Sequence, residues 1–148
     1  MKRILAFLII CLTVALGSMA QHGLNIEKLF SPDYYAKHGG EATLIKGDAL
    51  KKYDISLYHS ITIPRREKQG DVMSELVLKD VAANKTLWAE TQYVKKDLYY
   101  GFYQLKPRKG LNRYIFYLNK HPKHGHNIIL IYIEGSAGPE EIKKMLKK

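Results

Sequence analysis

The stretch Ile55-Ser-Leu-Tyr-His-Ser-Ile-Thr-Ile63 alternates between apolar and polar side chains along most of its length. Because successive residues of a strand point to opposite sides of a sheet, this alternation predicts a half-buried strand. One side of the predicted strand would carry Ile55, Leu57, His59, Ile61 and Ile63. Pro64 and the charged residues that follow it end the strand, since proline has no backbone N–H to donate.

Four more strands are predicted after residue 84. Residues 86–94 and 98–105 look like the arms of a hairpin that turns at Lys95-Lys96-Asp97. Residues 113–118 and 127–133 are rich in isoleucine and tyrosine, which favour pleated, half-buried positions. A further short strand is predicted at residues 42–46, upstream of the alternating stretch.

Helix signals are fewer and shorter. Ser31-Pro32 predicts a helix cap with a first-turn proline, and Gly39-Gly40 the end of that helix. Another short helix is predicted at residues 48–53. Near the C-terminus, Pro139 followed by two glutamates predicts a last helix, because acidic side chains suit the positive end of the helix dipole.

Residues 71–84 fit two alternatives. Asp71 could cap a helix in which Val72, Met73, Leu76 and Val77 fall at helical spacing. The run at residues 76–78 is equally compatible with a strand, since periodicity does not separate the two over so few residues. Either way, we predict an α+β fold with an antiparallel sheet of about four to six strands and helices packed mainly on one face.

The first twenty residues have the pattern of an export signal. Lys2 and Arg3 precede an uncharged apolar run, and Ser18-Met19-Ala20 supplies the small residues that a signal peptidase reads. We therefore expect residues 1–20 to be removed and residues 21–148 to form a single domain, periplasmic or extracellular. Cys11 lies in the middle of the apolar run rather than near its end, which argues against a lipoprotein.

Composition excludes several classes of chemistry. The chain has one cysteine, Cys11, so the mature protein would have no thiol nucleophile, disulfide or cysteine-based zinc site. Its formal charge is +10, and it stays basic after Lys2 and Arg3 are lost. Such an excess is compatible with peripheral contact to a membrane surface or an anionic polymer, but it does not define a fold.

The end of the chain resembles a known group. The run Ile131-Tyr-Ile-Glu-Gly135, followed by Pro139-Glu-Glu-Ile-Lys-Lys-Met145, resembles the strand, glycine turn and closing helix of small exported domains of unknown function that are common in Bacteroidetes. The export signal, the segment at residues 24–30 and the order of elements extend this resemblance over the whole chain. It implies an α+β envelope or secreted domain without assigned catalysis, and it supplies no functional residues.

Histidines provide the candidate metal and catalytic groups. His121, His124 and His126 fall within six residues, and imidazoles on a short loop can bind zinc or copper. Turn-forming Pro122 and Gly125, two lysines and the lack of a nearby carboxylate favour an ordinary exposed loop instead. His59 lies on the apolar side of its strand, where a core histidine is the simpler interpretation. No catalytic motif accompanies it, so we expect neither an enzyme nor a cofactor.

Tyrosine combined with positive charge suggests a binding surface. Alternation places three sets of residues on one side of their strands: Tyr99, Tyr103 and Leu105; Arg113, Ile115 and Tyr117; Ile128, Leu130 and Tyr132. If these sides coincide, they form an aromatic surface rimmed by Lys95, Lys96, Arg108, Lys109 and Arg113. We interpret Tyr99, Tyr103, Arg113, Tyr117 and Tyr132 as candidate ligand-binding residues. The alternative is that these tyrosines occupy ordinary half-buried sheet positions.

Two functional hypotheses follow from these features. The preferred one is a non-enzymatic interaction domain of the cell envelope that recognises a protein or an anionic envelope component through an exposed sheet face or edge. The second is a small-ligand or metal-responsive protein that uses His121, His124 and His126. Nucleic acid is disfavoured as a partner, because the predicted export and the absence of a recognised motif argue against it.

Overall fold

The computed structural model describes residues 23–65, 69–119 and 127–147. Six of its elements are strands, with these bounds: Glu41–Lys46 (β1), Ile55–Pro64 (β2), Trp88–Val94 (β3), Asp97–Arg108 (β4), Leu111–Asn119 (β5) and Asn127–Gly135 (β6). They form one antiparallel sheet in the order β1-β2-β6-β5-β4-β3. Both β1 and β3 are therefore edge strands, and the predicted α+β fold is confirmed.

Within the ranges that the structure describes, three α-helices and two 3₁₀ helices accompany the sheet. The α-helices are Pro32–Tyr35 (α1), Gln69–Ala83 (α2) and Pro139–Leu146 (α3). The 3₁₀ helices are Asn25–Phe30 and Asp48–Tyr53. In the part of the chain that is described, no helix is both long enough and apolar enough to cross a membrane.

Local signals place the short helices where the sequence predicts them. The Ser31 side chain accepts a hydrogen bond from the backbone N–H of Asp33 at 3.3 Å, as expected of a cap ahead of Pro32. α1 ends at Tyr35, earlier than the predicted end at Gly39-Gly40, and a turn over residues 36–39 closes at Gly39, whose φ of +75° suits glycine. At α3, the Glu141 carboxylate accepts from the backbone N–H of Gly138 at 2.9 Å.

Residues 69–83 are helical, which decides between the two alternatives for this segment. Asp71 lies inside the first turn of α2 rather than at its cap, so the predicted start of the helix was wrong. Asp80 of α2 is a buried carboxylate that the apolar pattern did not include. It accepts hydrogen bonds from the backbone N–H groups of Asn25 at 2.6 Å and Ile26 at 2.9 Å. These bonds tie α2 to the N-terminal 3₁₀ helix.

The two faces of the sheet are covered to different extents. α1, α2 and the N-terminal 3₁₀ helix pack on one face, which we call the helix-covered face. Its strand residues include Leu57, Ile61, Tyr103, Ile115, Tyr117, Leu130 and Tyr132. On the second face, α3 covers Phe102, Tyr114 and Ile133. Phe116 and Ile129 on the same face stay half-buried, so helices pack mainly on one face, as predicted.

Candidate functional site

Three of the four predicted tyrosines, Tyr103, Tyr117 and Tyr132, share one face of the sheet. Tyr103 lies opposite Ile115 in the β4–β5 pairing, and Ile115 lies opposite Tyr132 in the β5–β6 pairing. Two residues further along β5, Tyr117 lies opposite Leu130 of β6. Since directly paired residues point to the same side of a sheet, the three strand faces coincide as predicted.

This shared face is buried, so the expectation of an exposed aromatic surface was wrong. Tyr103, Tyr117, Tyr132 and Arg113 are all buried, because Met73 and the other apolar residues of α2 and the N-terminal helix pack against this face. Burial raises the pKa of Tyr103 to about 12 and raises the pKa of Tyr117 and Tyr132 further above the ordinary value. These tyrosines belong to the core.

Tyr99 does not lie in register with the other tyrosines. The β3–β4 pairing shifts between Gln92 and Tyr93, so that Tyr93 lies opposite Leu98 and Tyr99 is the extra residue. Leu98 therefore occupies the core position that simple alternation assigned to Tyr99. A β-bulge of this kind adds one residue to a strand and reverses the side chains beyond it, which alternation alone does not reveal.

The predicted basic rim is divided between the two ends of the sheet. Lys95 and Lys96 form the β3–β4 turn, whereas Arg108 and Lys109 lie at the opposite ends of β4 and β5. Arg113 is internal, and its Nε donates to the Lys106 carbonyl at 2.9 Å. The charges of Lys95, Lys96, Arg108 and Lys109 thus do not surround one binding surface.

Arg113 and the residues near it form a structural polar cluster at the base of the buried face. The Arg113 guanidinium also donates to Asn84 Oδ1 at 3.2 Å. Tyr132 donates its hydroxyl hydrogen to Glu134 Oε1 at 2.5 Å, and Arg108 Nη2 lies 3.9 Å from the same oxygen. Since these polar groups bond to one another or to backbone, they connect β4, β5 and β6 with the end of α2.

His59 also belongs to the core. Its ring lies 4.4 Å from the Phe30 ring, centroid to centroid, and its neighbours on the paired strands are Leu44 and Tyr132. Burial, assisted by the positive charge of Lys46, lowers the pKa of His59 to about 4. His59 is therefore neutral near pH 7. Ser60 alternates to the other face of β2, as predicted. Ser56 lies at a β-bulge between Ile55 and Leu57, so Ile55 packs on the second face, and the prediction that it shares a side with Leu57 was wrong.

The predicted histidine loop lies outside the described residues, since His121, His124 and His126 all fall between 119 and 127. Across residues 23–65, 69–119 and 127–147, no group of three or more histidine, cysteine, aspartate or glutamate side chains is arranged to hold a metal. The metal hypothesis for His121, His124 and His126 thus stays a prediction from sequence.

The most exposed apolar part of the described chain lies along β3. Among the described residues, six large hydrophobic side chains are exposed, and three of them belong to β3 or precede it directly: Leu87 at 53%, Tyr93 at 51% and Val94 at 39%. We call Leu87, Tyr93, Val94 and the outward backbone of β3 the edge surface. β3 pairs only with β4, so its other side presents unpaired backbone N–H and C=O groups.

The first half of β3 is held against α3. Lys143 Nζ lies 2.6 Å from Glu90 Oε1 and 5.8 Å from the centre of the Trp88 ring. The hydrogen bond to Glu90 raises the pKa of Lys143. Because Glu90 is the only charged residue in the strand and Lys143 already pairs with it, no charge within β3 protects its edge from another strand.

A small cavity adjoins the far end of the edge surface. It has a volume of about 160 Å³ and lies beside the β3–β4 turn. Its lining includes Val94 and the displaced Tyr99, together with Arg65, Lys95, Asp97, Leu98 and Asn119. The cavity therefore adds a recess lined largely by polar residues next to the exposed Val94 of the edge surface.

Sequence reasoning predicted the β3 strand but missed its importance. Strand order depends on contacts between distant segments, so the position of residues 88–94 at an edge could not be derived from their sequence. A signal was nevertheless present, because Tyr93 and Val94 are adjacent apolar residues that a single buried face cannot accommodate together.

Comparison with known proteins places the chain in a family. A family model described as a family of unknown function (DUF6108) matches residues 13–146, and the chain belongs to this family. The resemblance to a domain of unknown function over the whole chain is therefore confirmed. No curated protein matches the sequence.

Proposed function

We propose that this protein is a non-enzymatic, exported interaction domain that binds an extended segment of a partner protein along β3. Binding of this kind adds a strand to a sheet: main-chain hydrogen bonds supply affinity, and side chains on alternate positions supply specificity. The observation that carries the proposal is the edge surface, where unpaired backbone coincides with the exposed side chains of Leu87, Tyr93 and Val94.

The chemistry of the edge surface favours a protein over an anionic envelope component. Its exposed side chains are apolar or aromatic, and aromatic residues are enriched where proteins bind each other. The basic rim predicted from the sequence is divided between Lys95 and Lys96 at one end of the sheet and Arg108 and Lys109 at the other. Charge then contributes to solubility and to encounter rather than to the contact itself.

Selection from a displayed library of random peptides tests this proposal without a known partner. Selected peptides are expected to slow amide hydrogen exchange in β3, because their backbone would bond to its free side. Tyr93→Lys should weaken their binding by roughly tenfold or more, equivalent to about 1.4 kcal/mol. Tyr53→Lys is the matched control, since Tyr53 is exposed to a similar degree, at 42%, but lies on a 3₁₀ helix away from β3.

Two results would contradict the proposal. The first is that selected peptides protect amides elsewhere, such as the second face or α2, and leave β3 exchange unchanged. The second is that the lysine substitutions at Tyr93 and Tyr53 weaken peptide binding equally.

A further inference from the structure

The sequence of β3 is complementary to itself in one antiparallel register. Two copies can pair edge to edge about a two-fold axis perpendicular to the sheet. Each face of the sheet then continues from one copy into the other, and the side chains of directly opposite residues point to the same face. With the axis at Thr91, Trp88 lies opposite Val94 of the second copy, Ala89 opposite Tyr93, and Glu90 opposite Gln92. Every outward backbone group within the strand then finds a partner.

The side chains that meet in this register suit each other. Trp88 and Val94 are both apolar, and small Ala89 leaves space for the exposed ring of Tyr93. Cross-strand pairs of these kinds stabilise antiparallel sheets.

The two neighbouring registers are poorer. An axis at Glu90 would bring the two copies of Glu90 face to face. An axis at Gln92 would set the charged Glu90 against the apolar Val94 and leave Trp88 without a partner within the strand. Because like charges directly opposite each other destabilise paired strands, complementarity selects the axis at Thr91.

We propose that a second copy of this chain occupies the edge surface, joined through antiparallel β3 strands about a two-fold axis at Thr91. The proposal rests on the strand-addition function and names its partner. Pairing extends the six-stranded sheet continuously into that of the second copy and covers Tyr93 and Val94 of both. The interface is isologous, so it closes after two copies and leaves no free β3 edge.

A charge exchange at the axis tests self-pairing directly. Sedimentation of the purified protein over a range of concentrations should show a dimer. Thr91→Lys and Thr91→Glu should each weaken it by roughly tenfold or more, since the substituted charges would face their own copies. An equal mixture of the two variants should regain the dimer, because lysine then faces glutamate. Thr91 is exposed, so both variants should fold.

Thr43→Lys is the matched control, because Thr43 is an exposed threonine on the opposite edge strand, β1. It should leave the dimer intact. A wild-type monomer at every concentration would overturn self-pairing, as would a dimer indifferent to Thr91→Lys or a mixture no stronger than its components. Selected peptides that still protect β3 in a monomeric protein would overturn self-pairing alone and leave strand addition standing. Dimerisation through β3, together with no peptide binding at concentrations where the chain is monomeric, would contradict binding of foreign segments.

Discussion

Tyr117 and Tyr93 belong to the same sheet but have opposite environments. Tyr117 lies on a central strand beneath α2, fully buried, and its hydroxyl donates to the Gly70 carbonyl at 3.2 Å. Tyr93 lies on an edge strand with half of its surface exposed. Tyrosine content alone therefore does not indicate a binding surface. The order of strands decides which tyrosines form the core and which are available to a partner.

The two edges of the sheet differ in the same way. β1 begins with Glu41 and ends with Lys46, and its apolar residues Leu44 and Ile45 pack against the two sides of the core. The one charged residue of β3, Glu90, is paired with Lys143, and the large side chains Tyr93 and Val94 are exposed. Charged residues discourage strand pairing at an edge, so β3 is the edge adapted to accept another strand.

Replacement of the buried tyrosine should have the largest effect. Tyr117→Ala removes a fully buried ring and should lower the free energy of unfolding by about 3 to 5 kcal/mol, the usual cost of truncating a core aromatic. Urea denaturation measures this loss. A loss below about 1 kcal/mol would contradict the burial on which the comparison of the two tyrosines depends.

Acid should weaken the buried face through His59. Its pKa is lowered to about 4 in the folded chain, from 6.5. As the pH falls, the unfolded chain therefore binds the proton at a higher pH than the folded chain does. The stability that neutral His59 contributes is complete above pH 6.5 and is lost as the pH falls toward 4. The loss should reach about 3 kcal/mol. Urea denaturation across this range should show a shallower pH dependence in His59→Gln, and an unchanged slope would contradict the assignment.

Gly101 lies on β4, next to the edge strand β3, and its replacement should have an intermediate effect on the stability of the fold. A Cβ at position 101 would lie 2.6 Å from Cε2 and 2.8 Å from Oη of Tyr103, whose buried ring crosses β4 at this point. Gly101→Ala should therefore destabilise the fold by about 1 to 3 kcal/mol through overpacking. Thermal denaturation can compare it with Thr91→Ala, the exposed cross-strand neighbour on β3. Equal losses for the two variants would show that the ring can move aside.

The smallest effect on folding is expected at the edge. Tyr93→Ala should change the free energy of unfolding by within ~0.5 kcal/mol when the chain is monomeric, because the side chain is exposed. The same substitution should weaken association through β3. A destabilisation comparable to that of Tyr117→Ala in urea would remove the distinction between the two tyrosines.

Local features of the fold could be predicted from the sequence because their causes are local. The alternation of residues 55–63, the cap at Ser31 and the proline at 139 all act within a few residues, and each element formed where expected. The candidate site could not be predicted in this way. The bulge at Tyr99, the bonds of Asp80 to the N-terminal helix and the position of β3 at an edge depend on distant segments.

Residue-resolved amide hydrogen exchange along β3 and β1, over a series of protein concentrations, tests the central claim most directly. If β3 accepts a second copy, its outward amides should exchange more slowly as concentration rises, while those of β1 keep a constant rate. Exchange in β3 that is independent of concentration and of added selected peptides, or slowing confined to β1, would contradict the assignment of β3 as the binding edge.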